Sequence, residues 1–307
     1  MGNSPSKRKF NNKSRKDLNK PESQNSLESN NETRLKTSSC LIPDDIETER
    51  LQQSHYLLKH LFDGNFLSPI HELLNSGPCK VLDLGCGPGT WVLDMGSTYY
   101  SNKNSVFIGI DISPTFPNQI KPANTQFIQA NILDGLPFEN DEFDFVHLGS
   151  LGLSFSEIQW TELILPEILR VIKSDGWIEF NEPGSSAINS GPYYKNISDV
   201  HNQEMFMGDI NPNTVFKFKE WLLSNSRITN VHEEIRYVSV GSWDENNKLG
   251  EICHENFNTY LKVMESRLSK HLNINLKEYD QLVTKFFQEC NELKTQFPFH
   301  CIYAQKR

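Results

Sequence analysis

No run in the sequence approaches the ~18 consecutive apolar residues that a membrane-spanning helix needs. The N-terminus lacks the apolar stretch of a secretory signal, so the expectation is a soluble chain that is not exported by that route. The six cysteines (40, 79, 86, 253, 290 and 301) contain no C-x-x-C pair, which argues against a zinc site and a secreted disulfide framework and for a reducing compartment. Basic surplus is also missing from most of the chain. Residues 41–307 carry 21 Lys/Arg against 35 Asp/Glu, whereas residues 1–40 carry nine against four. An acidic body repels nucleic-acid phosphate, so no nucleic-acid partner is expected.

What is present is 307 residues, 37% of them hydrophobic, enough to bury the core of one α/β domain with an appended tail. Residues 1–40 are rich in Asn, Ser and Lys with almost no periodic apolar positions, and are expected to be disordered. From Asp44 the apolar positions Ile46, Leu51, Leu57, Leu58, Leu61 and Phe62 recur at helical spacing up to Gly64. The pattern then alternates. Strands are predicted at 80–85, 105–112, 125–132 and 143–150, with a helix over 90–100 between the first two. A helix begins near Ser156, where Ser156-x-x-Gln159 suits a capping box, and runs through "EIQWTELILPEILRVIK" with a kink at Pro166. The strand "GWIEFNEP" follows. Apolar strands joined by connections of a dozen or more residues indicate a parallel sheet covered on both faces, with ligands at the carboxyl ends of its strands. Beyond Pro183 the pattern weakens to two strands, "ITNVHEEIRYVSVGSW" and "FPFHCIYAQKR", around helices at about 250–271 and 277–296.

The stretch "KVLDLGCGPGTW", residues 80–91, sets Gly85, Gly87 and Gly89 at a strand-to-helix turn, where bare backbone can approach a ligand closely. No Lys follows the last glycine, so the loop is not the phosphate-binding G-x-x-x-x-G-K-[ST] type. The dinucleotide fingerprint would need Gly or Ala at position 90, which is Thr, leaving a nicotinamide oxidoreductase as a distant alternative. What remains is Asp83-x-Gly85-x-Gly87-x-Gly89, with Asp111 22 residues after the last glycine at the end of the next strand. An acid there reaches ribose hydroxyls; the alternative is a strand-end acid capping its own turn.

Through "VLDLGCGPGTW", "FIGIDIS", "FIQANILDGLPFENDEFDFVHLG" and "LPEILRVIKSDGWIEF" the chain resembles the class I S-adenosylmethionine-dependent methyltransferases over residues 45–183. It is most similar to the fungal LaeA-like group, which carries a Gln/Ser-His step ahead of the glycine loop, here Ser54-His55. The resemblance implies a Rossmann-like, mostly parallel seven-stranded sheet with helices on both faces. It divides residues 41–307 into a cofactor-binding core, 79–183, and a substrate-side part, 184–307. It implies S-adenosylmethionine as cofactor, with its methionine end against Gly85, Cys86, Gly87 and Gly89, and Asp83 on its amino group. Asp111 would hold the ribose, Ile112 would cover the adenine and Asn131 would accept from the adenine amino group, with Ile132 and His147 on the same side. Asn131 replaces the family's usual Asp, keeping an acceptor oxygen without its charge. Leu148-Gly149-Ser150 departs from the family near the substrate mouth, and Ser174-Asp175-Gly176 replaces a Pro-Gly-Gly turn with residues that suit a turn equally.

Methyl transfer asks chiefly for orientation, and alignment can supply on the order of 7–11 kcal/mol, so a dedicated base is optional and no catalytic residue is assigned. The absence of an Asn/Asp-Pro-Pro-aromatic step after the fourth strand argues against methylation of base amino groups. His55 and His147 fit either bases or packed core histidines. Cys86 reads as a small loop residue. Tyr193, Tyr194, Phe206, Phe216, Phe218 and Trp221 fit an acceptor pocket or the core. The acceptor would be a small molecule or a protein; a regulatory protein that keeps the fold and the cofactor but not turnover is the other reading.

Residues 1–9, "MGNSPSKRK", match the M-G-x-x-x-[ST] acylation pattern through Gly2 and Ser6, followed by Lys13, Arg15, Lys16 and Lys20. An acyl chain plus basic residues would hold the chain at a membrane; nuclear import or a plain tail in a cytoplasmic protein are the alternatives.

Overall fold

The computed structural model describes residues 45–102, 104–244 and 248–307. The expected tail, with its acylation and import patterns, lies outside the described residues. Seven strands form one sheet: β1 (Lys80–Leu84), β2 (Val106–Asp111), β3 (Thr125–Gln129), β4 (Phe143–Gly149), β5 (Ile172–Pro183), β6 (Ile228–Ser239) and β7 (Gln296–Lys306). Their order is β3-β2-β1-β4-β5-β7-β6. The β1, β2, β3, β4 and β5 pairings are parallel, and β7 runs antiparallel between β5 and β6. The strand order reverses between β1 and β4, leaving a crevice at the carboxyl ends of the strands on either side of that point.

Helices cover both faces: α1 (Asp45–Leu61), α2 (His71–Ser76), α3 (Thr90–Thr98), α4 (Leu165–Val171), α5 (Pro192–Met207), α6 (Thr214–Ser224), α7 (Leu249–Leu272) and α8 (Leu276–Leu293). Strand periodicity divides the apolar residues between the faces. Val81, Phe107 and Phe145 pack toward Leu74, Trp91, Val92 and Met95. Their neighbours Leu82, Ile108 and Val146 face Trp160, Ile168 and Phe218. A third cluster joins Leu57 and Leu61 of α1 to Met264, Tyr279 and Phe286 and to Phe297 and Phe299 of β7.

Local chemistry sets the ends of these elements. Ser156 accepts from Gln159 N and donates its own N–H to the Gln159 side chain, the expected capping box. The kink expected at Pro166 takes the form of a π-helical turn, Trp160–Ile164, because proline offers no N–H to continue the α ladder. The third strand ends at Gln129 rather than 132, since Asn131 caps a 3-10 turn, Ile132–Asp134. Ser174-Asp175-Gly176 forms an irregularity within a continuous β5 rather than a turn before it, with Asp175 at φ 63. Asn275 begins α8 with a second capping box, and the left-handed Asn273 reverses the chain after α7.

Trp160 is fully buried and meets Phe155, Phe180 and Phe218 edge-on, with ring centroids 5.6, 6.3 and 4.8 Å away. Trp160→Ala is expected to cost about 3–5 kcal/mol through the cavity it leaves. The urea midpoint checks this, and a loss below about 1 kcal/mol would mean that the site collapses around the smaller side chain.

Candidate active site

The loop after β1 turns with Gly85, Gly87 and Gly89 at φ 70, 50 and 78, a left-handed region that favours glycine. The Gly85 and Cys86 N–H groups both donate to Ile110 O at the end of β2, at 2.8 and 3.0 Å. Gly87 N donates to Asp111 Oδ2 and Ser113 N to Asp111 Oδ1, each at 2.8 Å. Burial raises the Asp111 carboxyl above its ordinary value; the two backbone donors offset part of the rise. Burial, then the nearby Asp83 and Asp111, push the Cys86 thiol far up, so at neutral pH it stays an unreactive thiol.

A Cβ at Gly87 would meet nothing closer than 3.6 Å, the atom there being Leu51 Cδ1, which belongs to the same cavity wall. That cavity brings together Asp83, Gly85, Cys86, Gly87, Asp111 and His147 from the expected set. It does not bring in Gly89, Ile112, Asn131 or Ile132. Gly89 caps α3. Ile112 is half exposed, and Ile132 is buried in the core beneath the sheet. Asn131 Oδ1 accepts from Leu133 N at 3.1 Å.

Behind the loop lies a buried polar row. Asp83, His147 and Glu179 are register partners across β1, β4 and β5. His147 Nδ1 is 2.7 Å from Asp83 Oδ1, and Asn181 Nδ2 donates to His147 Nε2 at 3.1 Å and to Glu179 Oε1 at 3.0 Å. Glu179, with no exposed surface, also accepts from Leu67 N, Ser68 N and Ser68 Oγ at 2.7–3.0 Å. Donor bookkeeping then assigns the His147 tautomer: Nε2 accepts from Asn181 and Nδ1–H donates to Asp83. With both nitrogens engaged, His147 is a positioned core group and offers no free lone pair as a base. The Trp91 indole lies flat on it, with centroids 4.1 Å apart, and donates to Asn65 O at 2.9 Å.

His55 and Lys59 project from α1 to a single oxygen, Asp94 Oδ2, at 3.0 and 2.6 Å. Burial opposes ionisation of Asp94, but the hydrogen bonds from His55 and Lys59 outweigh it and hold the carboxyl well below the usual range.

A second cavity of about 300 Å³ adjoins the first, and Leu51, Ser54, Leu58, Ser150 and Ser154 line both. Of the aromatic residues considered for an acceptor pocket, only Tyr194 lines it. Phe218 stacks on Phe180 in the core and Trp221 packs against the same cluster. Tyr193 packs against the cluster formed by α1, α7 and α8, while Phe206 and Phe216 are largely exposed. The aromatic wall is instead Phe257, Tyr260, Phe286, Phe297 and Phe299, from α7, α8 and β7.

A family described as "Methyltransferase domain" matches residues 81–176. The N-methyltransferase verN of Clonostachys rogersoniana is 24% identical over 265 residues, covering 85% of this chain and 90% of that protein. The N-methyltransferase tcpN of Claviceps purpurea is 22% identical over 280 residues, covering 85% and 94%. The secondary metabolism regulator laeA of Coprinopsis cinerea is 24% identical over 143 residues, covering 45% and 34%. The chain is a class I S-adenosylmethionine-dependent methyltransferase, related to the LaeA-like fungal proteins. S-adenosylmethionine is accordingly its cofactor, and the nicotinamide alternative is set aside. Among the described residues of this methyltransferase, no helix is long and apolar enough to cross a membrane.

Sequence reasoning missed Glu179 and Asn181, and the pairing of Asp94 with His55 and Lys59. A signal for the first existed: Asp83, His147 and Glu179 each stand between two apolar neighbours on β1, β4 and β5. Glu179→Ala would leave three backbone or hydroxyl donors and the Asn181 amide without their acceptor, an expected cost of about 3 kcal/mol or more. Urea denaturation measures it, and a loss under about 1 kcal/mol would show that water replaces the carboxylate. Asp94→Asn should be destabilising at neutral pH. Because folding depresses the Asp94 value, the wild-type advantage is complete above the ordinary value of 3.8 and shrinks as pH falls below it. Thermal melting of both proteins across pH 2–7 (roughly the window set by that carboxylate) reads this, and a pH-independent difference would remove the ion pair as its source.

Proposed function

We propose that this methyltransferase transfers its methyl group to a nitrogen of a small, largely apolar molecule held in the second cavity. The observation that carries the reading is that wall: a cavity of about 300 Å³, within the size range of small-molecule sites, opens off the glycine-loop cavity through shared residues. Its aromatic lining suits a flat apolar body, while Ser54, Asn202 and Asn256 supply a few polar groups. Nitrogen is favoured because the relatives matched over most of their length are named N-methyltransferases.

For the cofactor, we assign the methionine end to Gly85, Cys86 and Gly87, with Asp83 on its amino group and Asp111 on the ribose. Ile112 and Asn131 are assigned to the adenine. In support, the Gly87 backbone faces the cavity, where a Cβ would meet only Leu51 Cδ1 at 3.6 Å, and the Asp111 oxygens keep lone-pair capacity beyond their backbone donors. Asn131 likewise retains one lone pair on its amide oxygen. When bound, the cofactor supplies an electrophilic methyl group on sulfonium sulfur. The chain's own task is to hold the acceptor in line with it and exclude water. Residues 79–183 act as the cofactor-binding core, and 184–307 contribute most of the acceptor side, joined there by α1.

Calorimetry with S-adenosylhomocysteine tests the cofactor site. Asp111→Ala should weaken binding by about 1.5–3 kcal/mol. Gly87→Val should abolish it in a chain that still melts cooperatively. Wild-type affinity in either variant would place the cofactor elsewhere. A metabolite screen with radiolabelled cofactor tests the acceptor; label found only in protein would overturn the small-molecule reading.

A further inference from the structure

We infer that Glu182 receives the acceptor's N–H hydrogen in the second cavity and takes that proton as the methyl group is transferred. The inference rests on the proposed N-methyl transfer to an apolar molecule and names the residue that would select and deprotonate it. Glu182 lies at the end of β5, on the opposite face of the strand from Glu179 and Asn181. It lines the second cavity and is 2% exposed. Its two oxygens accept from Leu151 N at 2.8 Å and Gly152 N at 3.0 Å, and Leu151 itself lines the glycine-loop cavity. The carboxyl group therefore lies in the second cavity, one backbone hydrogen bond from the wall of the glycine-loop cavity.

Two features separate Glu182 from a structural carboxylate. Glu179 is surrounded by four donor groups and is spent on holding the fold. Glu182 has only two backbone donors, leaving lone pairs unused, and no Lys, Arg or His among the described residues pairs with it. The charged groups of the same cavity are already committed: Arg50 pairs with Glu47, and His201 bonds the Tyr260 hydroxyl at 2.6 Å. His300, the register partner of Glu182 on β7, pairs with Glu233. Burial pushes the Glu182 carboxyl up to about 8, close to working pH, where a general base is most effective. Burial moves His201 the other way, below its ordinary value, and moves Tyr194 up to about 12, so neither titrates in the same window.

In the step itself, the acceptor nitrogen's lone pair forms the bond to the methyl carbon as the carbon–sulfur bond breaks, and that electron pair stays on sulfur. The N–H proton passes to a Glu182 oxygen, and the resulting carboxylic acid returns it to water.

The test uses the full chain saturated with S-adenosylhomocysteine and two neutral probes of one shape: indoline, which carries an N–H, and coumaran, which has oxygen in its place. Calorimetry on the wild type should show indoline binding roughly tenfold or more tighter than coumaran, since a site built for an N–H leaves its acceptor unpaired with the analogue. The preference should grow as pH rises through about 8. Glu182→Ala should bind both probes equally, and Glu182→Gln, which keeps an uncharged acceptor oxygen, should show a smaller preference that no longer changes with pH, both variants retaining S-adenosylhomocysteine affinity. Thermal melting gives an independent reading. Between 4.5 and about 8 the folded chain keeps a proton on Glu182 that the unfolded chain has released, so wild-type stability should fall with pH across that window relative to Glu182→Gln. Equal binding of the two probes by the wild type, or a full preference that survives Glu182→Ala, overturns the inference. Loss of S-adenosylhomocysteine binding by the wild type would instead overturn the cofactor site on which it depends.

Discussion

A carboxylate taken out of water must be enclosed by donors, and Glu179 meets that demand by reaching outside its own strand. Its oxygens bind the backbone of Leu67 and the backbone and hydroxyl of Ser68, which fastens the segment after α1 onto the sheet. Through Asn181 the same carboxylate sets the His147 ring, which in turn holds Asp83 beside the glycine loop. Trp91 closes the arrangement, stacking on His147 and bonding Asn65 from the start of α3. One buried carboxyl group thus fixes both walls of the glycine-loop cavity, the loop on one side and residues 65–68 on the other.

The carboxyl end of β5 serves two cavities because strand side chains alternate. Glu179 and Asn181 point to the glycine-loop side; Phe180 and Glu182 point to the other, where Phe180 meets Trp160 and Phe218. Glu179 accepts from Leu67, Ser68 and Asn181, whereas Glu182 accepts from two backbone groups. Helix α1 then spans both cavities, presenting Leu51, Ser54 and Leu58 to each and anchoring to α3 through the contacts of His55 and Lys59 with Asp94.

Much of the fold was legible from residue patterns. Strands β1, β2, β4 and β5, the Ser156 cap and the kink at Pro166 follow from local apolar runs, hydroxyl spacing and a missing N–H. Helices α5 and α6 were not read, because they follow Pro183 in a stretch of mixed polar and aromatic residues whose apolar faces are defined only by what they pack against. The aromatic residues of that stretch show why. Phe206, Phe216 and Phe218 are alike in sequence, yet Phe218 is buried in the core while the other two are exposed. The true aromatic wall comes from residues 257–299, which no local spacing connects to Gly85 or Ser154.

By itself, the sequence determined the strand–glycine-loop–helix unit, the acid at position 111 after the next strand, and the alternation that forces a covered parallel sheet. These depend on interactions within a few residues or within one strand, where backbone sterics and apolar period act directly. The tertiary structure alone decided that Asp83, His147, Asn181 and Glu179 form one hydrogen-bonded row, that Asp94 binds His55 and Lys59, and that Glu182 lines the cavity beside the glycine loop's own. Each of these joins residues far apart in the chain, and a buried polar group finds its partners only once the sheet order has set which strands are neighbours and the register has set which side chains share a level.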